Sequence, residues 1–115
     1  DSSKENASYI GNCYFKLENY EEGIKEYERA IEVAKKEIFN LDWMRAIDRA
    51  LEDSFKLLNG AKETIQSPFY GSLVQKFQAL YSNFVDFWKA NNPNATYFRL
   101  MPDGEINRVA IKSAS

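Results

Sequence analysis

Apolar residues recur along this chain at intervals of three and four, the spacing that lines one face of an α-helix. Ala7, Ile10, Tyr14 and Leu17 form the first such stripe, with Gly11 on the same face. Ile24, Tyr27, Ile31, Ala34 and Ile38 form the second, Trp43, Ile47, Leu51, Phe55 and Leu58 the third, and Leu73, Phe77, Leu80, Phe84 and Trp88 the fourth. The pattern predicts four helices, and the punctuation between the stripes supports their separation. Ser2-Ser3-Lys4-Glu5 and Asn19 with Glu22 each place a capping side chain three residues before a carboxylate. Ser67-Pro68 sets a hydroxyl ahead of a proline at the first helical position. Asn59-Gly60 is a left-handed stop signal, and residues 61 to 66 read as weak helix or loop. Asn40-Leu41-Asp42 offers two N-caps but neither glycine nor proline, so a new helix and a continuous one both fit there. The fourth helix spans about 35 Å, and its apolar band is wider than one stripe. It therefore lies centrally or docks against something outside the chain.

Beyond Pro93 the rhythm changes to the alternation of strands. Thr96 to Met101 and Ile106 to Lys112 flank Pro102-Asp103-Gly104, which is hairpin chemistry. A two-stranded hairpin is marginal alone. The expected organisation is a helical domain over residues 1–92 followed by a hairpin tail over 93–115, packed on the helices or on a partner. The expected fold is mainly α, a helix-turn-helix plus two further antiparallel helices, as a bundle or short solenoid.

Composition narrows the chemistry. The chain has 115 residues, room for one domain, with 28% charged residues and a net charge of −2. It contains no histidine and one cysteine, so Ser-His-Asp and Cys-His nucleophiles, HExxH sites and Cys/His zinc sites cannot be assembled, nor can an internal disulfide. A sequence pI near 5.2 argues against a nucleic-acid footprint, and no apolar run reaches the ~20 residues of a membrane span. Acidic residues crowd the second and third helices, yet Glu21 and Lys25, Glu32 and Lys36, Arg49 and Asp53, and Glu52 and Lys56 all stand four apart with opposite charge, the mark of a solvated face. Cys13 reads as a buried, inert thiol. No glycine-rich loop gathers to cradle phosphate. These observations lead to the expectation of a soluble protein that is not an enzyme and holds no cofactor or metal.

The segments Gly11-Asn12-Cys13-Tyr14-Phe15-Lys16-Leu17 and Glu26-Tyr27-Glu28-Arg29-Ala30-Ile31-Glu32, with Ala7, Ile10 and Tyr20, resemble one tetratricopeptide repeat over residues 5–38. Ala7 replaces the family's tryptophan, Gly23 its small alanine and Lys35 its closing proline. No second repeat follows one period later, where Arg45 and Asp48 occupy the glycine and tyrosine positions. The resemblance implies a protein-interaction module, with ligand peptides lying along the first helix. The positions matching the ligand-facing places are Ser8, Asn12, Phe15 and Lys16, of which Asn12 and Lys16 would hold a peptide backbone or terminal carboxylate. A second reading is assembly. The chain has eight Phe, seven Tyr and two Trp, and those on the fourth helix, Phe84 and Trp88 among them, form either a bulky core or an exposed patch for a partner chain or a second copy. The hairpin edge offers strand addition. Phe98-x-Leu100-x-x-Asp103-Gly104-x-Ile106-x-x-Val109-x-Ile111 resembles the opening of TolA- or TonB-type C-terminal domains, which implies a periplasmic component; the sequence leaves the compartment open, with the cytoplasm favoured over the periplasm.

Overall fold

The computed structural model describes residues 3–94, 99–100 and 106–107, with the side chains of 8–94. Among these residues there are four helices: α1 (Ser3–Lys16), α2 (Tyr20–Lys36), α3 (Leu41–Gly60) and α4 (Ser67–Asn91). Two short strands, β1 (Arg99–Leu100) and β2 (Ile106–Asn107), pair antiparallel with Leu100 opposite Ile106. The rest of the expected hairpin, the Ser2/Glu5 capping box and the packing of Ala7 lie outside the described residues.

The helix boundaries follow local chemistry, though not always the expected chemistry. α1 ends because Glu18 adopts a left-handed conformation, φ 61°. The Glu18 amide then donates to the Phe15 carbonyl and the Asn19 amide to the Tyr14 carbonyl, at 3.1 and 2.8 Å. These two bonds are the Schellman arrangement, which satisfies carbonyls otherwise orphaned at a helix end. The same turn fixes Asn19 at φ −100°, ψ 69°, and its side chain makes no cap bond, so the expected Asn19/Glu22 box does not form. Glu37 is extended and breaks α2 from α3. Asn40 then caps α3 by accepting from the Trp43 amide at 3.0 Å, which settles the boundary in favour of two helices. The left-handed stop expected at Asn59-Gly60 is absent. α3 unwinds through the Ala61→Leu58 and Lys62→Asn59 backbone bonds of 3.1 and 3.2 Å, and the Asn59 side chain accepts from the Tyr70 hydroxyl of α4 at 3.1 Å. α4 begins one residue earlier than expected, with Gln66 rather than Ser67 at the cap and no side-chain cap bond.

α1 packs on α2 and α3, α2 also packs on α4, and α3 and α4 meet less extensively. The molecule is flat, with extents of 40 × 33 × 16 Å. The expected stripes of α3 and α4 are buried apart from half-buried Trp43, as is that of α2 except Ile38. α1 is turned. Ser8, Gly11 and Phe15 are buried, whereas Ile10 is 38% and Leu17 76% exposed, and Tyr14 is half-buried. Two glycines decide this rotation. The Tyr27 ring lies where a Cβ on Gly11 would come within 3.0 Å, and the Phe15 ring lies 2.5 Å from a Cβ placed on Gly23. Phe15 thus seats on Gly23, and α1 turns to bring it there. Burying such a side chain contributes about 2 kcal/mol. From Phe15 the rings continue through the core, with centroids 5.5 Å to Tyr20, 6.0 Å to Tyr27 and 5.7 Å to Phe77, and from Phe77 5.1 Å to Phe55.

Each ion pair has at least one exposed partner, and most span three residues rather than four: Glu22 with Lys25, Glu26 with Arg29, Glu32 with Lys35 and Asp42 with Arg45. Glu52 with Lys56, at 3.8 Å, is the one expected four-residue pair among them. Glu21 reaches instead across to Lys76 of α4 at 3.1 Å. Lys35 bonds Asn83 of α4 at 2.6 Å. The two contacts tie α2 to α4 at separate points.

Candidate partner-binding surface

Of the four α1 positions matching the ligand-facing places, three point inward. Phe15 is 1% and Ser8 6% exposed. Half-buried Asn12 donates from Nδ2 to Ser54 Oγ of α3 at 3.0 Å. Ser54 Oγ in turn shares a 2.6 Å hydrogen bond with Tyr27 Oη, and that hydroxyl lies 3.1 Å from the Ala50 carbonyl to which it donates. Asn12 is therefore a member of a polar knot that joins α1, α2 and α3. One of its amide donors is engaged inside the protein. Burial pushes the Tyr27 phenol far above its ordinary value, and the bonds from Ser54 and Asn12 offset only part of that. Phe84 and Trp88 are 0% and 4% exposed, so they belong to the core and present no docking patch. Their rings pack 5.4 Å apart. Tyr81 donates to the buried Asp48 carboxylate at 3.0 Å, a second polar contact between α3 and α4.

Lys16 alone of the α1 set is exposed. It stands on the rim of a cleft of about 410 Å³, where the α1–α2 turn meets the end of α3. Buried Phe15 and Tyr20, the more open Leu57 and Ala61, and the charged Lys56 and Glu18 line it with Lys16. Lys16 has no ion-pair partner among the described residues. Lys56 is held at 3.8 Å by Glu52. Burial, and then the Glu18 carboxylate, raise the Tyr20 phenol above its usual value. Spacing marks Tyr20 only as a repeat position and Lys56 only as the partner of Glu52, and it passes over Leu57, because their meeting with Lys16 depends on how α3 crosses α1. Nothing in a one-dimensional pattern fixes that crossing.

Cys13 is a free, half-buried thiol rather than a buried one. Among the described residues, no group of three or more Cys, Asp or Glu side chains is placed to hold a metal ion, and no helix is long and apolar enough to cross a membrane. The chain matches no protein-family model, and comparisons with curated proteins and with solved structures return no match.

Proposed function

We propose that this protein is a non-enzymatic protein-interaction module that binds an acidic or carboxylate-ended peptide segment in the cleft between Lys16 and Lys56. The observation that carries the reading is Lys16, a cation without a counter-ion among the described residues, in a cleft lined by aromatic and aliphatic side chains. A carboxylate supplies the missing charge, and an apolar side chain beside it covers Leu57 and Tyr20. The resemblance of residues 5–38 to a tetratricopeptide repeat supports an interaction role, with the contact moved from the buried Ser8–Asn12–Phe15 face to the end of the helix pair. Both lysines lie near the rim, so binding is weak and screened by salt.

The test is a titration of an acidic, carboxylate-ended peptide library against the folded chain, read by amide chemical-shift changes. The expected shifts centre on residues 16–20 and 56–61, and they shrink as salt is raised. Lys16→Glu with Lys56→Glu reverses two exposed charges and weakens binding about tenfold, or about 1.4 kcal/mol. Asn12→Ala leaves affinity unchanged while lowering stability. An affinity indifferent to both lysine reversals overturns the cleft assignment.

A further inference from the structure

Glu18 stands where local backbone preferences oppose it. It follows the end of α1 in the left-handed region, φ 61°, where a Cβ is strained and glycine is not. It also brings a negative charge to the end of a helix whose dipole already presents partial negative charge there. Nor does its carboxylate form an ion pair among the described residues. Lys16, two positions away, does not pair with it, and Lys56 is held by Glu52 at 3.8 Å. The turn therefore uses the backbone of Glu18 and leaves its charge unpaired.

That charge belongs to the cleft. Glu18 is exposed and lines it together with Lys16 and Lys56. Burial, and then the Glu18 carboxylate, raise the Tyr20 phenol, so the carboxylate is felt at a buried ring of the same cleft. The lining thus carries charges of both signs, two ammonium groups and one carboxylate, among Phe15, Tyr20, Leu57 and Ala61. Such a set complements a dipole rather than a run of one sign. A ligand carboxylate meets Lys16. A second acid close to it meets Glu18 and is repelled, whereas a lysine or arginine in its place finds a counter-ion. Repulsion of the wrong charge contributes to specificity as much as attraction of the right one.

We propose that Glu18 is the specificity-determining residue of this cleft, and that the segment it admits is dipolar: a carboxylate for Lys16, an apolar side chain for Leu57, and a lysine or arginine for Glu18. The inference rests on the peptide-binding reading and narrows it from carboxylate-bearing segments in general to those that also carry a cation.

The test uses the whole chain and end-blocked pentapeptides in both directions, Gly-X-Leu-Asp-Gly and Gly-Asp-Leu-X-Gly, with arginine, glutamine or glutamate at X. Affinity, read from the amide shifts of residues 16–20 and 56–61, should fall from arginine to glutamine to glutamate. Each step should be about threefold, the size of an exposed charge pair, and the order should flatten as salt is raised. Glu18→Gln should erase the order, and Glu18→Lys should reverse it. Glu18→Gly removes the side chain while relieving the backbone, so it should erase the order in a protein at least as stable as the wild type. An affinity indifferent to X, or an order that survives Glu18→Gln, overturns the role of Glu18 and leaves the cleft standing so long as binding still depends on Lys16 and Lys56. Binding that ignores Lys16→Glu with Lys56→Glu, or shifts confined to other residues, overturns the cleft and this inference with it.

Discussion

Tyr27 is the residue on which three helices agree. Its ring fills the space left open by Gly11, and its hydroxyl meets Ser54 Oγ at 2.6 Å and lies 3.1 Å from the Ala50 carbonyl. Burial also ties stability to pH, and the sign follows from linkage. Tyrosine in the unfolded chain ionises at its ordinary value near 10, whereas Tyr27 in the folded protein stays protonated well beyond it. Its contribution is therefore complete below pH 10 and is lost as the pH rises above that value, at about 1.4 kcal/mol per pH unit. Tyr27→Phe should be less stable at pH 7, where Ser54 and Asn12 lose a partner, by about 1–3 kcal/mol. Its stability should fall less steeply than that of wild type between pH 10 and 12. Urea unfolding across this range gives both slopes, and equal slopes would show that Tyr27 is not the group responsible.

At the scale of elements, each helix end reports a competition between local signals. Asn59-Gly60 carries a left-handed stop signal in the sequence, yet α3 unwinds through short backbone bonds and Tyr70 engages Asn59. Among the described residues the left-handed one is Glu18, which bears a Cβ and a charge where glycine would be free of strain. Glu18→Gly should stabilise the protein by about 1 kcal/mol, raising the melting temperature by about 4 °C. A calorimetric scan that shows a lower melting temperature would mean that the Glu18 side chain stabilises the turn by more than its backbone strain costs. The same comparison shows what was legible in advance. The stripes of α2 and α3 could be read directly because each has one apolar face, and burial follows it; in α4 the band is wider, and the stripe from Leu73 to Trp88 is buried. α1 has two such faces, and spacing alone favours the one with more apolar residues. The choice between them is made by Gly23, whose missing side chain admits Phe15, a contact between helices that no periodicity within α1 encodes. The lysine cleft was half legible for the same reason, since Lys16 lies on α1 and Lys56 on a helix forty residues away.

At the scale of the whole molecule, the two helices that resemble a repeat are not a separable piece. Phe15 of α1 contacts Tyr20 and Tyr27 of α2, and also Phe77 of α4, which leans on Phe55 of α3. A chain cut after residue 38 keeps the α1–α2 contacts but strips the aromatic rings from the outer side of Phe15 and leaves Asn12 and Tyr27 without Ser54. That fragment should show the far-ultraviolet dichroism of an unfolded peptide, and a helical spectrum would contradict this account. The ring that couples all four helices also removes any seam along which the molecule might come apart. Heat or denaturant should then open the four helices together, with no long-lived half-open form of the bundle.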